Sequence, residues 1–245
     1  VFPDISFLQQ QKENICGILL THAHEDHYGA VAFLAPLLEA PVYCTNFTAH
    51  LLETKFSSIE DFQSLKLKIF KAGDILDISP FTIEAISVSH SIPEAVSFAI
   101  STPLGAIIHT GDWRIDEAPV LLPKTDSKRF KEWGKKGVLA LVCDSTNALT
   151  EENAVSTSEQ AVAESLTQII AGAQKRVVIT SFSSNIGRIR SVIEAAEAVG
   201  RKVLLVGRSM KRCIAIAAEC GYLGKKTERF LSEAEYASTK REEIV

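Results

Sequence analysis

The five cysteines, Cys16, Cys44, Cys143, Cys213 and Cys220, are odd in number and form no CxxC pair. Neither a disulfide framework nor a thiolate metal site is expected from them. Such usage suits a reducing compartment, so a cytoplasmic location is expected. Long hydrophobic runs are missing as well. The most apolar stretch extends only from Val31 to Leu38 and contains Pro36, against about 20 residues for a bilayer span. The opening VFPDISFLQQ lacks the basic start of a signal peptide. No excess of positive charge exists either: 26 Lys+Arg against 30 Asp+Glu leave a net charge of −4. A uniformly basic surface is excluded, and contact with nucleic acid would have to come from local clusters. Internal repeats and low-complexity tracts are absent.

What is there is globular. With 46% hydrophobic and 23% charged residues, the composition excludes a disordered or collagen-like chain. A length of 245 residues can bury a full core and suggests one large domain, or one and a half.

Short apolar runs alternate with amphipathic segments. Ile15–Leu20, Pro41–Thr45, Leu65–Phe70 and Phe81–Val88 read as strands. The last two are separated by the turn signal Lys71-Ala72-Gly73-Asp74. Phe98–Ser101 and Gly105–His109 flank Pro103-Leu104 as a hairpin, and Val138–Cys143 reads as a further buried strand. Gly29–Leu38 and Phe47–Phe56 read as helices. Beyond Ser158 the rhythm changes. Helices are expected over Ser158–Ile170, Ile189–Val199 and Met210–Cys220, the last two closed by Gly200 and Gly221. Between them Val177–Thr180 and Lys202–Val206 read as strands. This β-α-β-α order implies a parallel, doubly wound unit. The polar break EENAVSTS at 151–158 is the expected boundary, giving domains over 1–155 and 156–245.

Chemistry concentrates at one place. Thr21-His22-Ala23-His24-Glu25-Asp26-His27 is an HxHxDH cluster directly after a strand. In a chain with 6 histidines, a chance match to this pattern is expected roughly one time in ten thousand. Imidazole nitrogens and a carboxylate suit a borderline divalent ion such as zinc. The alternative, a polar surface loop, does not explain so many ligand-type groups in six positions. Further donors should sit at other strand ends. His90 follows FTIEAISVS and Asp112 follows AIIHT. Alone, the first would pass for a turn histidine and the second for a plain turn residue. The upstream cluster raises both. His109 reads as a core histidine or as support behind the ligands, and His50 receives no role.

The segments THAHEDHYGAV, SHSIPEAV, HTGDWRID and CDSTNA together resemble the β-CASP ribonucleases of the metallo-β-lactamase superfamily, and the ribonuclease J family most closely. The resemblance implies an αββα metallo-β-lactamase sandwich followed by an incomplete doubly wound β-CASP domain. It implies that His22, His24 and His90 hold one divalent ion, that Asp26 and His27 hold a second, and that Asp112 bridges them. Zinc is the first expectation for both ions, with manganese or magnesium as alternatives. The implied function is hydrolysis of RNA phosphodiester bonds, from the 5′ end and internally, by hydroxide activated between the two ions, in RNA processing and decay. Asp26, His27 and Asp112 would be its catalytic residues, Asp26 also taking the proton of the attacking water.

Asp144 would match the acidic residue that opens the β-CASP motif set, where the family often has Glu. It would orient a ligand histidine, with His109 as a second supporting residue. Ser181-Phe182-Ser183-Ser184-Asn185 resembles the polar loop that opens the inserted domain near substrate, so Ser183, Ser184 and Asn185 become candidate substrate contacts. The same stretch also reads as a strand-to-helix turn with a serine N-cap. If RNA is the partner, Arg201, Lys202, Arg208, Lys211 and Arg212, and Lys124, Lys128, Arg129, Lys131, Lys135 and Lys136, are the basic residues available for phosphates. Otherwise they are solvated faces.

Members of this family start with a glycine-rich strand pair and, after the insert, return to the first domain with two more histidine motifs. One of those histidines completes the second metal site. Nothing after Ala148 contains histidine, so the chain is expected to be an interior piece whose first domain lacks its opening strands and whose second site lacks one ligand. Two other functions stay open. One is a small-molecule metallo-hydrolase, a thioesterase or lactonase, on the same fold; the segment after residue 158 argues against it. The other is a non-catalytic RNA- or protein-binding module. Homo-oligomers are implied for full-length relatives.

Overall fold

Alternating burial along neighbouring strands produces two usable faces, and the first unit is built from that alternation. The computed structural model describes residues 2–58, 65–149, 157–224 and 230–245. Two units divide the chain: Val1–Ile115 with Lys124–Thr150, and Asp116–Pro123 with Glu151–Val245. The sequence boundary expected at 155/156 involves residues 151–156, which lie outside the described residues.

In the first unit the order is α1 (Ser6–Gln10), β1 (Ile18–Leu19), α2 (Glu25–Tyr28), α3 (Val31–Leu38), β2 (Val42–Thr45), α4 (Asn46–Phe56), β3 (Leu67–Phe70), β4 (Ile75–Ile78), β5 (Phe81–Ser87), β6 (Val96–Thr102), β7 (Gly105–His109), α5 (Ser127–Lys136) and β8 (Ala140–Val142). Strands β1-β2-β3 form a parallel sheet. Strands β4-β5-β6-β7-β8 form a second sheet, antiparallel except for the parallel pair β7-β8.

Side chains from both sheets meet in one core: Tyr43 and Phe70 from the first, Ile78, Ile83, Ala85, Val96 and Phe98 from the second. Alternate residues of the second sheet, Ile86, Ala99 and Ile108, point the other way, onto Phe130 and Trp133 of α5. Helix α4 lies against β2 and β3 and buries Phe47, Leu51, Leu52 and Phe56. Burial of each such side chain stabilises by about 1.5–3 kcal/mol. The result is four layers, helix–sheet–sheet–helix. On the α5 side, Glu84 of β5 receives a bidentate pair from Arg129 (Nη2–Oε2 2.7 Å) and the indole N–H of Trp133 at 3.0 Å. Arg129, counted by sequence among solvated or phosphate-facing cations, is therefore occupied by Glu84 and Glu132.

Three expectations need correction. Leu65–Phe70 and Phe81–Val88 both contain strands, but the segment between them is more than a turn. A four-residue strand, β4, follows the Lys71–Asp74 turn and pairs with β5, while β3 joins the other sheet. Four residues are too few for alternation to stand out. Val138–Cys143 is not buried: β8 is the edge of its sheet, and Leu139, Leu141 and Val142 are exposed. In the second unit, helices α6 (Glu159–Gly172), α7 (Ile186–Ala198), α8 (Arg208–Glu219) and α9 (Glu233–Ser238) form. Instead of strands, 202–206 has isolated parallel bridges, Lys202 with Ile244 and Val203 with Phe230, and 177–180 has the single bond of the Val177 N–H to the Ile244 carbonyl. Apolar β-branched runs become strands only over the length that a neighbour matches.

Residues 116–123 group with the second unit for a visible reason. The buried Asp116 accepts the Glu159 N–H at 3.1 Å, and the Ala118 carbonyl accepts that of Gln160. Arg188 of α7 then clamps Glu159 through two 3.0 Å bonds.

Replacing Glu84 by Gln removes the charge partner of Arg129 under α5. We expect a loss of about 1–2 kcal/mol in urea unfolding, against no more than about 0.5 kcal/mol for Lys128→Ala in its exposed i,i+4 pair. Equal effects would contradict the assigned role of Glu84.

Candidate metal centre

The HxHxDH segment changes backbone geometry midway. His24 is extended (φ −77°, ψ 147°) and caps α2, which starts at Glu25. In extended chain, residues two apart share a face, so His22 and His24 point together. The helical turn then rotates Asp26 and His27 by about 100° per residue towards a neighbouring position. Six residues thereby feed two clusters.

His90 and Asp112 arrive from loops after β5 and β7. His24 Nδ1 lies 3.0 Å from both His22 Nε2 and His90 Nε2. Asp112 Oδ2 stands 3.8 Å from His22 Nε2 and 3.7 Å from His90 Nε2. Its other oxygen, Oδ1, is 3.2 Å from His27 Nε2, which is 3.5 Å from Asp26 Oδ2. Two groups of donor atoms result, each within 4.8 Å of one another: His22, His24, His90 and Asp112, and Asp26, His27 and Asp112. Asp112 belongs to both and turns one oxygen to each.

The loops are held tightly. Gly111 has φ +57°, and a Cβ there would meet Thr21 at 2.8 Å. The Thr110 carbonyl accepts the Ser97 hydroxyl at 2.6 Å, its N–H donates to Val142, and its hydroxyl accepts the Asp144 N–H. Behind His90, the buried Ser89 donates its N–H to Thr125 Oγ1, and that hydroxyl donates to the Arg114 carbonyl. Thr21 Oγ1 stands 3.0 Å from His22 Nδ1. A metal on Nε2 requires the proton on Nδ1, where this hydroxyl accepts it. Sequence reasoning passed over Thr21, Ser89, Ser97, Thr110, Gly111 and Thr125. Thr21 and Gly111 stood beside the motifs, but nothing marked them as touching each other.

Burial lowers the histidines. His22, fully enclosed, is pushed down to about 2 by desolvation and then by the rings of His27, His90 and His24. His90 is pushed down to about 4, chiefly by burial and then by His24 and His27. His24 is lowered too, again mainly by burial. These imidazoles are neutral at pH 7, as ligands must be. The donor chemistry also fits a cation. A ring nitrogen carries either one lone pair or one proton, so His24 Nδ1 can satisfy only one of its two neighbours. A divalent ion accepts lone pairs from all three.

A family model described as a beta-lactamase superfamily domain matches residues 3–122. Another, described as the beta-CASP domain of ribonuclease J, matches residues 174–245. A ribonuclease J from Sinorhizobium meliloti is 52% identical over 100% of this chain and 43% of its own length. Along its whole length the chain is similar to ribonuclease J. A Helicobacter pylori ribonuclease J is 37% identical over 100% of the chain and 35% of its own length. Ribonuclease J2 of Bacillus subtilis is 33% identical over 100% and 44%. The chain thus spans less than half the length of these curated relatives. In fold it is similar to the crystal structure of a protein of unknown function from Enterococcus faecalis, with TM-score 0.65 and 18% identity over 94% of this chain and 57% of that one. The expected fold class stands: metallo-β-lactamase and β-CASP domains, mixed α/β with two sheets.

Outside the two clusters, Asp144, His109 and the 183–185 stretch find local partners. Asp144 accepts the N–H and hydroxyl of Thr146, at 2.9 and 2.6 Å, rather than a ligand histidine. Those bonds, and more weakly His90, hold its carboxyl below the usual range. An Asx turn satisfies this short side chain locally. His109 is neither buried nor core. It closes β7 with an exposed side chain, and its Nδ1 accepts the Gly111 N–H at 3.0 Å. In the second unit Asn185, not a serine, caps α7 by accepting the Arg188 N–H, and Ser183 bonds Ser209 at 2.9 Å. Ser184 lies in the turn just before this cap.

Gly111→Ala should push Asp112 off both clusters and weaken metal binding about tenfold or more, read by calorimetric titration; unaltered affinity would contradict the close-approach argument. A pH effect follows from the histidines. Unfolded, they protonate near pH 6.5, whereas folded His90 and His22 do so near 4 and 2. Their contribution to stability is therefore complete above pH 6.5 and is lost progressively as pH falls towards 4 and below. The thermal midpoint of the metal-free chain should drop between pH 6.5 and 5, and His90→Gln should flatten that slope.

Proposed function

We propose that this chain carries the catalytic half of a metal-dependent ribonuclease of the ribonuclease J type, hydrolysing RNA phosphodiester bonds from the 5′ end and internally. The observation that carries the reading is Asp112, whose two oxygens face two separate donor clusters. His22, His24, His90 and Asp112 would hold one divalent cation, and Asp26, His27 and Asp112 a second. Zinc suits the imidazole-rich set best, with manganese or magnesium as alternatives. Such a pair, when bound, supplies a water of lowered pKa and offsets charge on the phosphorus oxygens.

The chain's own residues do the rest. Burial keeps the three imidazoles neutral, so they offer lone pairs instead of competing for protons. Asp112 sets the spacing of the two clusters. Asp26, with its side chain 78% exposed, is open to solvent and takes the proton of the attacking water. Ser183, Ser184 and Asn185 and the basic residues of α8 are proposed contacts for RNA phosphates, an interaction governed by charge. The described cysteines are free, which suits a reducing compartment such as the cytoplasm. No helix among the described residues is long and apolar enough to cross a membrane. RNA binding without turnover is a second reading, favoured by the second cluster's having three donors where the first has four.

The test uses a 5′-monophosphorylated RNA oligonucleotide and the Zn2+- or Mn2+-loaded chain. Cleavage should stop with chelator and fall by more than about 100-fold in Asp112→Ala and His24→Ala. Hydrolysis of a thioester or lactone with no RNA cleavage would replace this reading by the small-molecule one. RNA retained without cleavage would favour the binding module.

A further inference from the structure

Helix α2 carries Asp26 and His27, yet it is a single turn, Glu25–Tyr28, with no side-chain cap bond at its start. A helix this short does not hold its own geometry in water. Asp26, mostly exposed, receives little help from packing. The turn must be held from outside.

Tyr28 packs edge-on against Phe56 of α4, and a side chain of the same helix reaches both ends of the turn. Lys55, in the last turn of α4, bonds Glu25 Oε1. The same ammonium lies 5.2 Å from the ring centre of Tyr28, the buried last residue of α2, and 4.9 Å from that of Phe56. It thus grips α2 at its first residue by charge and at its last by cation–π attraction. Gly29 completes the arrangement: a Cβ there would collide with the carbonyl and carboxylate of Glu25. At its other end α4 presents the Phe47 N–H to Glu94 Oε2 at 2.7 Å, four positions beyond His90. The buried helix α4 therefore touches both ligand-bearing segments.

We propose that Lys55 is a positioning residue for the Asp26–His27 half of the metal centre, acting through Glu25 and Tyr28 to fix the orientation of α2. The proposal rests on the reading of Asp26 and His27 as cation ligands. An ordinary surface ion pair stabilises a fold by little. The signature of a positioning role is thus a selective loss of metal affinity with folding preserved.

Co2+ titration followed by visible absorption reads this on the whole chain. The unaltered chain should bind two equivalents in two steps. Lys55→Met, which keeps the stem over the rings, and Glu25→Gln should each weaken the weaker step about 10–100-fold, leave the tighter step within about threefold, and barely move the metal-free thermal midpoint. Lys55→Arg should restore most of the loss. An unchanged weaker step, or parallel weakening of both steps with a falling midpoint in both Lys55→Met and Glu25→Gln, overturns the proposal. Failure of the unaltered chain to take up Co2+ would remove the metal reading itself, and this inference with it.

Discussion

The turn at Gly111 rests against Thr21 with no room for a side chain, and the centre depends on that approach. Asp112 follows β7 of the antiparallel sheet, whereas the HxHxDH segment follows β1 of the parallel one. Two sheets packed through large side chains ordinarily stand about 10 Å apart. Only where a loop from one can lie on a loop from the other do their functional groups come within 4 Å. Any residue other than glycine at 111 would have both a strained backbone and a steric clash. The surrounding bonds follow from this demand. Ser97, Val142 and Asp144 each fix one backbone or hydroxyl group of Thr110, so the residue before the glycine cannot relax away. Even the exposed β8 takes part, since the Val142 carbonyl is one of those ties.

Enclosure then decides the chemistry. Three imidazoles in contact, removed from water, cannot all carry charge, so burial drives them to the neutral form well above their folded pKa values. Solvated histidines with the same spacing would be largely protonated in mildly acidic solution and would repel a cation. The cost is a cluster of ring nitrogens that protons alone do not satisfy. Stability is given up locally, and ligand strength is gained.

The candidate ligands that the structure brings together were legible in the sequence because their pattern is short and chemically distinctive. HxHxDH packs its information into six residues, and His90 and Asp112 announce themselves by following apolar strands. Most strands and helices were legible for the same reason, since periodicity is local. What escaped depended on neighbours. Whether VLALVC is interior or edge is set by what lies beyond β8, and whether 202–206 is a strand is set by the extent of its partner. Asp144 was read by family analogy as support for a histidine, but a local turn with Thr146 was the nearer partner. Lys55 carried no signal at all; it sits 30 residues from Glu25 in an unremarkable helix sequence.

The two clusters also differ in how they are built, and the difference starts in the backbone. His22 and His24 lie on extended chain anchored to β1, where ladder bonds such as Leu20 N–H to the Tyr43 carbonyl are already in place. Their cluster is deep and has four donors. Asp26 and His27 lie on a one-turn helix at the rim, with three donors and one carboxylate largely in water. An extended segment inherits rigidity from its sheet; a single helical turn inherits none. The rim cluster therefore depends on contacts from α4 for what the deep cluster receives from β1. The asymmetry follows from the backbone alone: one donor group is fixed by a sheet, the other by side chains of a neighbouring helix.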